Sequence, residues 1–253
     1  MCKKYVQISG PSGIGKTTLA KALPKYLNME NELNFVSSSM SDLVPDTKNV
    51  SHLDMLSKDS RELYMQDAKL LNLRSKLYRS YIDEGNDYIT DRGYLDLATY
   101  FFLKQSKYLP DCEMEHFLGL CLNLLFKHCN RLIILGYTPK DIDWSIENNS
   151  KRITSRYFQM QVYHTMEFLL NLWGFKVIKQ DRNIVYGYLF NSNKESLRVL
   201  IIDELYHDKR LRLCGDFIKS PGKDNITSLP NYVEIPVEDL FDDSFGNKWD
   251  IIG

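Results

Sequence analysis

Hydrophobic and polar positions change period several times along the chain. Lys4 to Ser9 alternates through Tyr5, Val6 and Ile8 and stops at Gly10, which predicts a short buried strand. From Lys16 to about Leu27, the residues Leu19, Ala20 and Leu23 recur at helical spacing. A strand is expected over Asn34–Ser38, then a polar loop around 39–57, and loops of that length are uncommon unless functional. Arg61 to Glu84 is a long helical pattern with Leu63, Leu70, Leu73, Leu77 and Tyr81 on one face, closed by Gly85-Asn86. A third strand, Asp87–Asp91, leads into a helix carrying Leu95, Ala98, Thr99 and Phe102. Residues 113–129 predict another helix, Arg131–Tyr137 a fully buried strand, 151–173 a helix stopped at Gly174, and Phe175–Gln180 a fifth strand.

Strands alternating with helices predict an α/β fold: a five-stranded parallel sheet with helices on both faces, joined by right-handed crossovers. Loops at the carboxyl ends of the strands would form the binding crevice. Beyond Asp181 the pattern weakens. Residues 1–208 are expected to form one domain. Residues 209–253, with Pro221, Gly222, Pro230, Pro236 and the acidic run EDLFDD, are expected to be an irregular appendage packed on it.

With 43% apolar and 26% charged residues in 253, the chain has the composition of a folded domain. Its net charge of −1 argues against a nucleic-acid backbone as partner and favours a small acceptor molecule. The five cysteines (Cys2, Cys112, Cys121, Cys129, Cys214) show no C-x-x-C spacing, and MCKKYVQISG has no signal-peptide core. No run approaches a membrane span. A reduced, cytoplasmic protein is expected, with room for a homodimer.

Gly10-Pro11-Ser12-Gly13-Ile14-Gly15-Lys16-Thr17 matches G-x-x-x-x-G-K-[ST] at every fixed position, between a predicted strand and a predicted helix. Such a loop turns backbone N–H groups and a helix N-terminus toward phosphate oxygens. Gly10, Ser12, Gly13, Ile14, Gly15, Lys16, Thr17 and Thr18 are therefore candidate ATP contacts. Lys16 would bridge the β- and γ-phosphates, and the Thr17 hydroxyl would ligate Mg²⁺. The competing reading is a glycine-rich turn matched by chance.

Asp91-Arg92 follows the third strand at the sheet edge from which the loop emerges. Asp91 could hold Mg²⁺ through water or accept the proton of an attacking hydroxyl, and Arg92 could clamp phosphate. A helix-capping aspartate beside a surface arginine is the alternative. The loop followed by DRGYLDLATY (Asp91–Tyr100) and a basic stretch resembles the thymidylate kinase and deoxynucleoside kinase branch of P-loop kinases. It is similar above all to small AAA-domain kinases found in phages and beside nicotinamide riboside kinases. The resemblance spans roughly residues 4–182 and implies that Asp91 acts on acceptor hydroxyl or metal and that Arg92 contacts phosphate. It also implies that Asp96 and Tyr100 support the acceptor pocket; a salt-bridging Asp and a core Tyr are the alternative.

Gln66 lies in register with the apolar face of its helix, so its amide needs partners there and can read a base edge. Met65-Gln66 with Arg74 resembles the glutamine–arginine pair of deoxynucleoside kinases, at a spacing one residue longer; a glutamine satisfied by backbone is the alternative. Lys151 to Arg156 resembles the basic lid of these kinases, expected near 145–157, with Arg152 and Arg156 on one face; a solvated basic face competes. Thr138 to Trp144 resembles a nicotinamide riboside kinase segment but lacks its second proline and its Asp-Gly. The cysteines and histidines near 112–129 lack a second ligand pair, so no metal beyond magnesium is expected.

The expected activity is ATP-dependent phosphoryl transfer to a nucleoside or nucleotide, a deoxynucleoside or dTMP-like acceptor first. Nicotinamide riboside and hydroxymethylated DNA bases are alternatives. From another class, Val199-Leu200-Ile201-Ile202-Asp203-Glu204 has the form of a Walker B strand, as in an ATPase switch; against it, Leu197, Leu200, Ile201 and Leu205 fit a helix. A catalytically silent nucleotide-binding module is a third reading.

Overall fold

A computed structural model of the chain describes residues 3–44, 60–136, 156–181, 183–191, 195–204 and 206–220. In chain order the elements are β1 (Tyr5–Ser9), α1 (Lys16–Tyr26), β2 (Leu33–Val36), α2 (Met40–Leu43), α3 (Ser60–Asp83), β3 (Asp87–Thr90) and α4 (Tyr94–Gln105). They continue with α5 (Asp111–His128), β4 (Arg131–Leu135), α6 (Arg156–Leu172), β5 (Lys176–Asp181), β6 (Ile184–Phe190), β7 (Ser196–Ile202) and α7 (His207–Lys219).

The strands form one sheet in the order β2-β3-β1-β4-β7-β6-β5. The pairs β2/β3, β3/β1, β1/β4 and β4/β7 are parallel, whereas β7/β6 and β6/β5 are antiparallel. Successive side chains of a strand point to opposite faces, and the core divides accordingly. Val6, Ile8, Ile133, Leu135, Leu200 and Ile202 meet Leu19 and Leu23 of α1 and Cys214 and Phe217 of α7. On the opposite face Tyr88, Leu132, Ile134, Val199 and Ile201 meet side chains of α3, α4, α5 and α6, including Tyr78, Leu95, Phe117 and Met166. Each Leu-sized side chain buried in this way contributes about 1.5–3 kcal/mol. Strand β1 is thus central, and because β3 runs parallel beside it, the segments after Ser9 and after Thr90 leave the sheet at the same edge. No described helix is long and apolar enough to cross a membrane.

The sheet has seven strands, not five. The segment Phe175–Gln180 does form a strand, β5, but it lies at the far edge in antiparallel pairing with β6. The fifth parallel strand is β7, in the segment whose periodicity favoured a helix. Leu197, Val199, Leu200, Ile201 and Ile202 are all buried, so the run is apolar on both faces, and a short run of that kind fits either element by spacing alone. The irregular stretch expected from residue 209 is instead helical through Lys219, as α7, whose Arg210, Cys214, Phe217 and Ile218 are buried. The remainder of that expected appendage, 221–253, lies outside the described residues.

Candidate functional site

The loop after β1 closes on itself in the form the motif requires. Gly10 has φ +147°, and a Cβ there would stand 2.7 Å from the Leu135 carbonyl oxygen, so only glycine fits. Gly15 has φ +91° and immediately precedes α1. Lys16, 5% exposed, donates from Nζ to the carbonyls of Gly10 and Pro11, both at 2.6 Å. Ser12 N–H donates to Gln159 Oε1 of α6 at 2.8 Å, and the Ile14 carbonyl accepts from Arg210 Nη1 of α7 at 2.6 Å. Thr18 lies in the first turn of α1 and is exposed.

Asp91 is 5% exposed, and its Oδ2 accepts a hydrogen bond from the Thr17 hydroxyl. Its Oδ1 is buried with no hydrogen-bond partner. A hydroxyl and a carboxylate with one oxygen to spare are the hard donors Mg²⁺ takes when phosphates supply further ligands, so these residues fit that ion. Among the described residues no three His, Cys, Asp or Glu gather at one point, and an ion shared with phosphates does not need three.

Arg92 is half-buried and faces Tyr100, Asp96 and Asp91. Burial works against its charge, but these neighbours outweigh that and raise its pKa, so it remains a cation. Tyr100 is shifted upward by burial, opposed by the Arg92 charge. Asp96 accepts the Gly93 N–H through Oδ2 at 3.1 Å, capping α4, while its Oδ1 is buried without a partner. The structure therefore brings Asp91, Arg92, Asp96 and Tyr100 together.

Gln66 is half-buried on α3, and its Oε1 is buried with no hydrogen-bond partner. The adjacent Asp67 bridges to Lys104 of α4 at 2.6 Å, fastening this part of α3 one turn beyond Tyr100; burial raises the Asp67 carboxyl while Lys104 opposes the shift. Arg74 takes another course. Its Nε and Nη2 donate to the Ser38 carbonyl at 3.1 and 3.0 Å, and Nη1 donates to the Gly93 carbonyl at 2.9 Å. All three nitrogens tie α3 to the segments after β2 and β3. Tyr78, one turn on, donates its hydroxyl proton to the Arg92 carbonyl at 2.8 Å, with its oxygen 2.7 Å from Ser38 Oγ. Arg156 opens α6; Arg152 lies outside the described residues, as do Thr138 to Trp144 and most of the expected lid.

Asp203, the rival Walker B acid, follows a true strand at the same edge, but β4 separates β7 from β1. It lies over Gly136, where a Cβ would overlap its carboxylate, and it faces Tyr163, Glu167 and Arg210. Burial, then Glu167, raises its pKa against the pull of Tyr163 and Arg210. The Thr17 hydroxyl pairs with Asp91.

Gln159 and Arg210 were not singled out from sequence. Gln159 shares a helical face with Val162, Tyr163 and Met166, and Arg210 one with Cys214, Phe217 and Ile218, all buried. A polar residue on an apolar stripe is the signal that marked Gln66, and it marks these two equally well.

Comparison with known proteins bears on the fold. The family model described as AAA, ATPase family associated with various cellular activities, matches residues 6–88, from β1 into β3. No curated protein sequence matches the chain. Among solved structures the chain is similar to deoxyadenosine kinase from M. mycoides with the products dCMP and a flexible dCDP bound. The TM-score there is 0.57 at 12% identity, over 85% of this chain and 99% of that one. It is also similar to NadR protein in complex with NAD and AMP-PNP, with TM-score 0.52 at 13% identity, over 87% of this chain but 50% of that one. At such identities the likeness establishes the fold alone, the P-loop NTPase α/β fold.

Proposed function

We propose that the chain is a kinase that moves the γ-phosphoryl group of ATP to a hydroxyl or phosphate oxygen of a nucleoside or nucleotide. The observation that carries this reading is the position of Asp91, hydrogen-bonded to the phosphate-loop Thr17 while Arg92, Asp96 and Tyr100 gather beside it. In this reading the loop's N–H groups and Lys16 hold the donor phosphates, a role Lys16 takes up by leaving the Gly10 and Pro11 carbonyls. Magnesium, held by Thr17 and Asp91, would neutralise phosphate charge. Asp91 would help hold that ion or accept the proton of the attacking hydroxyl, and Arg92 offers its planar fork to phosphate oxygens. Arg156, at the start of α6, and Arg152 would add positive charge over the transferred group.

On the acceptor side, Gln66 Oε1 and Asp96 Oδ1 are both acceptors without donors. They suit a ligand that brings N–H or O–H groups, such as a base with an exocyclic amine or a sugar hydroxyl. The similar deoxyadenosine kinase has been solved with dCMP, dCTP and dATP, all with amino-bearing bases, and NadR with NR, whose carboxamide also donates. The three nitrogens of Arg74 already engaged with carbonyls make it a residue that shapes this pocket rather than one that enters it.

The ATPase reading gains from β7 being a strand that ends in Asp203-Glu204, and it loses from the Thr17–Asp91 pairing. Labelled ATP incubated with nucleosides, nucleoside monophosphates, nicotinamide riboside and hydroxymethylated DNA separates the two. Transfer to one of these acceptors supports the kinase; phosphate release indifferent to every acceptor overturns it.

A further inference from the structure

We infer that Gln159 and Arg210 are positioning residues that clamp the phosphate loop from two sides and so set the pose of the donor triphosphate, an inference that rests on the loop being the ATP site. Gly10, Gly13 and Gly15 all have positive φ, so the loop's shape is one that glycine permits without enforcing. Two nearly buried side chains, 1% and 7% exposed and from helices far along the chain, hold it at the residues flanking Gly13.

Peptide planarity turns each contact into an orientation. In a trans peptide the C=O and N–H point in opposite directions. The Pro11–Ser12 peptide gives its N–H to Gln159 Oε1 at 2.8 Å, which directs its C=O away from α6, and that carbonyl accepts from Lys16 Nζ at 2.6 Å. Gln159 therefore acts through one rigid plane on the lysine expected to reach the phosphates. The Ile14–Gly15 peptide gives its C=O to Arg210 Nη1 at 2.6 Å, which aims the Gly15 N–H away from α7. Arg210 is itself fixed by donating Nε to the Glu204 carbonyl, and its Nη1 would stand 3.5 Å from a Cβ on Gly15. A loop whose peptide planes are fixed, with the Gly15 N–H aimed before the ligand arrives, avoids ordering them on binding.

The test is calorimetric ATP binding to the full chain with magnesium and no acceptor, followed by steady-state kinetics, for wild type, Gln159→Met, Arg210→Met and Arg210→Lys. Each Met variant is expected to weaken ATP binding about tenfold, with acceptor KM changed less than about twofold. Arg210→Lys, which keeps a donor for the Ile14 carbonyl, should recover part of that loss. Unchanged ATP affinity in both Met variants overturns the clamp. So does a parallel loss of ATP and acceptor affinity with a collapse of the melting transition, which marks a merely structural role. A wild type that binds ATP yet phosphorylates nothing removes the kinase reading and leaves the clamp to its own binding data; a wild type that does not bind ATP removes both.

Discussion

The proposed donor and acceptor sides are built in opposite ways. Around the phosphate loop, Lys16 Nζ, the Ser12 N–H and the Ile14 carbonyl all have partners within the chain. On the other side, Asp96 Oδ1 and Gln66 Oε1 are buried without any. An unsatisfied buried polar atom costs about 1–3 kcal/mol, so the acceptor side gives up stability that a ligand would restore. On the proposed reading, the fold shapes the donor loop's backbone and Lys16 alone changes partners there, whereas the acceptor side would be completed by what binds.

The largest expected effect breaks the donor side. Lys16→Ala should cut phosphoryl transfer about a thousandfold, and Asp91→Asn nearly as far, but the two should part in binding. Calorimetry is expected to show ATP affinity lost with Lys16→Ala and largely kept with Asp91→Asn. Normal turnover in the Asp91 variant would remove it from the site. On the acceptor side, Gln66→Ala and Asp96→Asn should each raise acceptor KM about tenfold while leaving the KM for ATP within about twofold. Gln66→Met sharpens the contrast: it removes an orphan oxygen at similar volume, so the free protein should melt no lower than wild type while acceptor binding falls. A clear drop in melting temperature would show that the amide is structural.

Smaller still is Asp203→Asn, expected to hold turnover within about threefold, since Thr17 pairs with Asp91; full loss of activity would restore the Walker B role of that acid. A last effect is on stability and not on transfer. His128 is buried, with Nδ1 2.7 Å from the Tyr94 hydroxyl, and burial, helped by Lys127 and Arg79, pushes its imidazole down to about 4. Its folded pKa lies below the ordinary value of about 6.5, so its share of stability is intact above that pH and drains away as pH falls from about 6.5 toward 4. Denaturant titrations across this window should show the decline, and His128→Gln should flatten that part of the curve; an unchanged slope would show that His128 does not contribute.

The glycines and lysine of Gly10–Thr18 were legible in sequence because the motif is local and its strand and helix flank it. Asp91 and Arg92 were legible for a similar reason, lying one residue past a recognisable strand. What escaped is long-range. The spacing within Leu197–Ile202 favoured a helix, whereas the run pairs with β4 as strand β7. Arg74 was an expected acceptor contact by its resemblance to the arginine of the deoxynucleoside kinase pair, but the Ser38 and Gly93 carbonyls that engage it come from segments brought together by the sheet. Gln159 and Arg210 sit 147 and 196 residues from their loop partners, a pairing no spacing rule reaches.

The central claim, that phosphoryl transfer goes to a bound acceptor, is tested most directly by product stoichiometry. With ATP in excess and an amino-bearing nucleoside or nucleotide as acceptor, one phosphorylated acceptor is expected for each ADP formed, with little free phosphate. ADP matched by free phosphate, at a rate indifferent to every acceptor tried, would contradict it.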